Sequence, residues 1–197
     1  MCKFLLTAVC VPAFLFAQSP ATGQTDAPLT VGGKFENRVV SAFSPIKIVT
    51  IAFYAGYDQL TNTPSEWKQG AEGYGKRYAS EFGAALARQT FAFTLESIGH
   101  QDPRYFPSAD KGFKNRMKNV IKYTFVAKSD RGTDQFAWAR FGSAAGAAAL
   151  QNTWQPRSTD TVGNAMTNFG VTIGGDAAYN FLQEFIPRLR PKEFRNK

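Results

Sequence analysis

The chain reads as an all-α bundle of four to five helices packed through Gly/Ala rows, and three observations carry that reading. Apolar residues recur at helical spacing in long segments bounded by capping and stop signals. No segment alternates apolar and polar residues around a hairpin dipeptide. Small residues stand at every fourth position in Ala71, Gly75, Ala79, Gly83 and Ala87, and pairs recur as Gly142 and Gly146 and as Gly170 and Gly174. A glycine inside an exposed helix costs about 1 kcal/mol relative to alanine. Glycines repeated at this spacing therefore call for a compensating close approach of another helix.

The elements follow in order. Lys3, the apolar run Phe4 to Phe16 and the small-residue site Leu15-Phe16-Ala17 make residues 1–17 a signal peptide. Thirteen or so apolar residues are too few to span a bilayer, which takes roughly 20. Both cysteines, Cys2 and Cys10, fall inside this segment, and Val9 and Met1 precede them where a lipoprotein box needs a small residue. The mature chain is expected to lack cysteine, and with it any disulfide or thiol chemistry. Residues 18–34 have the composition of a flexible leader, and one helical domain spans 35–197.

Ser44-Pro45 is an N-cap followed by proline at the first helical position, and Ile48, Ile51, Ala52 and Ala55 continue at helical spacing to about Leu60. The β-branched cluster Ile46, Ile48, Val49 and Ile51 fits a buried strand as well. After a turn at Asn62 to Glu66, a second helix runs from Glu66 or Gly70 to Ile98, stopped by Gly99 and Pro103. A third covers Gly112 to Ala127, a fourth Asp134 to Asn152, and a fifth Asp160 to Ile186, closed by Pro187 and the basic tail Arg188, Arg190, Lys192, Arg195 and Lys197.

Composition narrows the function. The formal net charge is +8, which suggests an anionic neighbour. For an exported chain, that neighbour is an anionic membrane surface or an acidic envelope polymer rather than nucleic acid. Mean hydropathy is -0.27, and no mature stretch reaches 18 uncharged apolar residues. A conventional multi-span protein is disfavoured, while helix hairpins that dip into a membrane stay open. His100 is the only histidine, so no multi-histidine metal site is available and no metal or cofactor is expected. There is no Gly-x-Ser-x-Gly elbow or phosphate-binding loop, and Gly73-Tyr74-Gly75 lacks the third glycine of a dinucleotide fingerprint. Glu81, Glu96, Asp102, Asp176 and Glu184 are candidates for a hydrolytic carboxylate pair. Pairing with Arg88 and Arg140 between helices is the expected alternative.

The third helix carries the one positive feature. Lys111, Lys114, Arg116, Lys118, Lys122 and Lys128 lie between Asp110 and Asp130 with no acid among them, opposite Phe113, Met117, Ile121 and Phe125. Such a helix lies on an anionic membrane surface. The competing reading packs the apolar face on the bundle and leaves the lysines as its wet side.

The strings Pro64-Ser65-Glu66-Trp67, Gly70 to Arg77, His100 to Phe106, Arg140 to Ala144 and Asn152 to Pro156 resemble a group of uncharacterised exported proteins from environmental bacteria. Gln155 departs from the pattern, which has an aromatic there. The resemblance covers roughly Pro64 to Pro187; it implies export and a helical fold, and brings no activity or catalytic residues with it. The sequence thus points to an exported, non-enzymatic envelope component, periplasmic or outer-membrane-associated, that meets a membrane or forms a homo-oligomer. An envelope hydrolase using a carboxylate pair is the alternative.

Overall fold

A computed structural model describes residues 27–191 and Phe194. Residues 1–17, read above as a signal peptide, with both cysteines, most of the segment read as a leader, and Lys192, Arg195 and Lys197 of the tail lie outside the described residues. The described chain is mostly helical, with six helices rather than four or five and one two-stranded hairpin.

Helix α1 (Val31–Ala42) begins inside the segment whose composition suggests a leader. Thr30 caps it by accepting the Gly33 N–H at 3.2 Å. Gly32 and Gly33 hide this helix start from a propensity reading. Helix α2 (Pro45–Thr61) follows as the Ser44-Pro45 signal predicts, with the Ser44 hydroxyl accepting from the Lys47 N–H, and resolves the strand alternative in favour of helix. Helix α3 (Ala71–Ile98) is the longest and ends at Gly99. Helix α4 (Phe113–Phe125) leads into strand β1 (Val126–Lys128), which pairs antiparallel with β2 (Asp134–Phe136). The three-residue strands are too short to show a period, so the third helix ends early and helix α5 (Trp138–Asn152) starts four residues later than the sequence suggests. Helix α6 (Val162–Phe185) is capped by Thr161.

The helices run up and down around α3. Lys34 of α1 reaches the Glu96 carbonyl at 3.2 Å, and Gln59 of α2 donates to the Gly70 carbonyl, so α1 and α2 descend antiparallel to α3. Helix α5 starts with Trp138 against Gly99 and ends with Gln151 donating to Glu81 at 2.8 Å. Helix α6 then climbs back, from Asn168 beside Gln151 to Asp176 beside Arg88. Helix α4 packs across its far end, with the Phe113 and Phe185 rings 5.7 Å apart and Asn180 donating to the Tyr123 carbonyl.

The small-residue rows divide. A Cβ on Gly142 would sit 3.0 Å from the Leu95 side chain, and one on Gly146 would sit 3.2 Å from the Phe91 ring, so both glycines lie close against side chains of α3. A Cβ on Gly83 would lie 3.8 Å from Trp154, and Ala87 is half-buried. Ala71, Gly75 and Ala79 are exposed, and a Cβ on Gly75, Gly170 or Gly174 would meet nothing within 4 Å. The row on α3 is therefore no continuous seam within one chain. Spacing every four residues finds one stripe of a helix, and the neighbouring helices lie over other stripes. Gly146→Leu is expected to cost about 1–3 kcal/mol through overpacking, while Gly170→Leu leaves the melting temperature of the monomer unchanged; thermal melts of both variants check this.

Candidate lipid-facing surface

The packing of this bundle inverts the usual order. Its buried apolar set is dominated by alanine: Ala42, Ala55, Ala92, Ala139, Ala144, Ala147 and Ala148 on the helices, joined by few larger residues such as Ile51 and Val120. The largest fully buried side chains are Arg77, Lys34, Gln101, Glu184 and Ser143. Large apolar residues stand outside instead, among them Val40, Phe43, Val49, Phe53, Tyr57, Leu60, Val162 and Met166. Globular proteins seldom bury lysine, arginine or glutamate completely unless they are paired.

Most inward charges have partners drawn from the sequence's own helices and turns. Lys47 and Asp58 of α2 are the exceptions, with no side-chain hydrogen bond or ion pair among the described residues, and burial pushes the Lys47 ammonium below and the Asp58 carboxyl above the ordinary range. Lys34 is 2.8 Å from Asp130, and Arg38 makes an ion pair with Glu96 and reaches Gln89. Arg88 pairs with Asp176 at 2.5 Å, with Arg140 beyond at 3.9 Å. Arg140 also donates to the Tyr123 and Thr124 carbonyls, tying α5 to the end of α4. Arg77 donates to Thr63 O, Gln59 Oε1, Lys68 O, Pro64 O and Asn62 Oδ1, so one guanidinium holds the whole turn between α2 and α3. At the other end Glu184 accepts from Tyr105 at 2.6 Å, from the Ser108 N–H, from Arg116 at 3.0 Å and from Asn119. Burial first, and then the Glu184 carboxylate, push the Tyr105 hydroxyl far above the ordinary phenol range.

These contacts locate the five carboxylates offered for hydrolysis. Glu81 is held by Gln151, Glu96 by Arg38, Asp102 by Arg104 at 2.7 Å, Asp176 by Arg88 and Glu184 by Arg116. Asp176 and Glu96 share the field of Arg140, and Asp176 and Glu81 that of Lys47, so these three acids meet cations inside the bundle. Asp102 and Glu184 have separate arginine partners, and none of the five lines the cavity at Ser80 and Trp154 or the one at Ser108 and Asn119. His100 is exposed and lies 3.3 Å from Asp130. No group of three or more metal-binding side chains occurs among the described residues.

The outer faces carry almost no charge. On α2, α5 and α6 no exposed position is charged among the described residues. On α3 the exposed residues from Ala79 to Ile98 are Ala79, Leu86, Thr90, Thr94 and Ile98, and the charged ones, Glu72 and Lys76, precede them. Helix α1 contributes Glu36, near the level of Glu96. On α3 a tryptophan stands at each end of the uncharged stretch: Trp154 Nε1 donates to Ser80 Oγ at 3.0 Å, and the Trp138 ring lies directly against Gly99, while on α2 the uncharged face continues to Leu60, near the level of Gly70. From Ser80 to Gly99 is about 28 Å at a helical rise of 1.5 Å per residue. Among the described residues no single helix is long and apolar enough to cross a membrane, although α1 and α2, bent by 45°, pass that test together.

The predicted basic surface is partly used up by the fold. Arg116 turns inward to Glu184 and lies over the Phe185 ring, its guanidinium carbon 4.1 Å from the centroid. Lys122 pairs with Asp134 at 2.5 Å, and Lys128 reaches the same carboxylate at 3.5 Å. Hydrogen bonding from Lys122 holds the Asp134 carboxyl below the usual carboxylate range. Lys111, Lys114 and Lys118 remain exposed, with no ion pair among the described residues. The apolar side of α4 does not simply pack inward: Val120 is buried, but Phe113, Ile121 and Phe125 are 64%, 58% and 49% exposed. Helix α4 thus presents an apolar row beside a lysine row, while a third face, with Tyr123 and Thr124, meets α6.

Sequence reasoning missed Gly73, Arg77 and Lys34. The signal for Arg77 is the turn it serves, where Gln59 to Lys68 crowd carbonyls and polar side chains against one helix start. Compared with family models, with curated proteins and with solved structures, the chain matches none.

Proposed function

We propose that this chain is an exported, non-enzymatic component of a cell-envelope membrane, a helical bundle seated in the bilayer with its charges inward. The uncharged outer band on α2, α3, α5 and α6 carries this reading. An exposed apolar band is a liability in water, and in hydrocarbon it is the favoured surface. Small residues at helix contacts and charges paired inside the bundle are the arrangement lipid favours. The distance between the tryptophan levels, about 28 Å, is close to the roughly 30 Å of a hydrocarbon core. Tryptophan is enriched at both edges of such a core. The inward polar residues keep mean hydropathy low without bringing charge to the lipid face.

Self-association is a second role of the same exterior. Gly170 and Gly174 open outward on the uncharged face of α6, four residues apart, as in small-residue helix pairs within membranes.

The test is fractionation of envelopes followed by carbonate and then detergent extraction. The full chain is expected in the carbonate-resistant pellet and released by detergent. Release by carbonate alone would leave only peripheral attachment, and recovery in the untreated supernatant would overturn the proposal.

A further inference from the structure

We infer that the polar cavity beside α4 binds the phosphate of an anionic phospholipid, an inference that rests on the membrane reading above. The cavity has a volume of about 340 Å³ and is lined by Ser108, Asp110, Asn115, Lys118, Asn119 and Lys122. Its back wall is fixed. The Asn119 amide nitrogen lies 3.1 Å from the Tyr105 hydroxyl, 2.9 Å from the Phe106 carbonyl and 3.2 Å from Glu184, and the Ser108 N–H is held by Glu184 as well. A fully buried carboxylate therefore anchors the wall while its own charge is met by Arg116.

The open side carries the donors. Lys118 is exposed with no ion pair among the described residues, and no hydrogen bond of the Asn115 amide occurs among them. The Ser108 hydroxyl oxygen accepts from the Asp110 N–H at 3.1 Å, which leaves its own hydrogen to donate. Lys122 is already matched by Asp134. Asp110 is the one acid in the lining, against Lys118 in the lining and Lys111 and Lys114 beside it, so the rim keeps an excess of positive charge. That balance selects an anion.

Its surroundings select a lipid. Ile121 and Phe125 stand three residues after Lys118 and Lys122, the spacing of neighbours on one helix face, and are 58% and 49% exposed. A lipid whose chains lie along Ile121 and Phe125 brings its phosphate to the level of Lys118, where lysine stems reach headgroups. A free phosphate uses only the polar half of this surface. The cavity also sits where α4 crosses the last turns of α6, at the end of the band marked by Trp138 and Gly99, the level of headgroups rather than of hydrocarbon.

The experiment reconstitutes the purified full chain into phosphatidylcholine vesicles with increasing phosphatidylglycerol, and measures lipid preference by flotation and by binding of short-chain phosphatidylglycerol in detergent. Lys118→Glu with Asn115→Ala is expected to weaken phosphatidylglycerol binding about tenfold, given roughly 1 kcal/mol per basic residue near an anionic surface. Lys76→Gln, at the opposite end of the bundle, leaves binding unchanged. Ile121→Ser weakens binding of the lipid but not of inorganic phosphate. Inorganic phosphate binding as tightly as the lipid would overturn the lipid assignment. Entry into neutral vesicles with no preference for phosphatidylglycerol, or unchanged binding by the double variant, would overturn the site. Failure to enter neutral vesicles counts against the membrane reading instead, and the detergent binding still decides the site.

Discussion

Gly73→Ala is expected to destabilise the α2–α3 end of the bundle strongly, while Gly75→Ala, two residues along the same helix, is neutral or stabilising. A Cβ on Gly73 would run into the Lys68 carbonyl oxygen and would lie 2.7 Å from the Trp67 carbonyl oxygen, both backbone atoms that cannot swing away. At Gly75 the same atom meets nothing within 4 Å, so only helix propensity acts, worth up to about 1 kcal/mol in favour of alanine. The clash matters because Arg77, one turn on, is fully buried and holds the same turn. Arg77→Met keeps much of the volume and removes every donor, leaving the Thr63, Pro64 and Lys68 carbonyls without their guanidinium. Breaking a buried charged network in this way costs on the order of 3–5 kcal/mol. Thermal melts of Gly73→Ala, Gly75→Ala and Arg77→Met in one detergent decide the matter. Equal melting temperatures for the two alanine variants would show that the turn gives way and that Gly73 is dispensable.

Leu86→Asp and Ala178→Asp are expected to expel the chain from the membrane. Both positions are exposed and lie within the uncharged band, Leu86 on α3 and Ala178 on α6 beside the level of the Arg88–Asp176 pair. An aspartate at mid-bilayer costs about 2.5–3.5 kcal/mol on insertion scales and, being short, cannot reach the interface. In water the same substitutions at exposed positions stay within about 0.5 kcal/mol and improve solubility. The two environments therefore give opposite outcomes. The carbonate-resistant fraction should fall in each single variant and nearly vanish in the double, while Lys76→Asp, beyond the Ser80 level, has no effect. Unchanged membrane retention of the double variant, or retention of none of the proteins including the parent, would end the proposal of a lipid-facing band.

Several elements were legible because their signals are local. Ser44-Pro45 starts α2 and Gly99 ends α3, since a cap is satisfied within one turn of its own residue. The hairpin of Val126–Lys128 and Asp134–Phe136 was not legible, because three-residue strands carry no period and are held by the Asp102 N–H donating to Lys128 O and by Gln101 donating to Phe136 O. The candidate site was half legible. The lysines of α4 stand out in the sequence, yet only the packed chain turns Arg116 to Glu184 and Lys122 to Asp134, and leaves Lys111, Lys114 and Lys118 outside.

By itself the sequence determined a mostly helical chain, the starts and stops of most of its helices and its basic excess, all properties of residues close along the chain. Tertiary structure alone decided which way each helix faces. Mean hydropathy and periodicity measure how much polar residue a helix has, and a stripe of charge reads the same whether it meets water or another helix. Only the docking of α1, α2, α5 and α6 around α3 turns Lys34, Arg77, Arg88, Glu96 and Asp176 inward and side chains such as Val40, Phe43, Val49 and Phe53 out. Tertiary contact also singles out Gly73 and Gly146 as close-packed and leaves Gly75 and Gly174 open, because a glycine's role depends on the atom that stands where its Cβ would be.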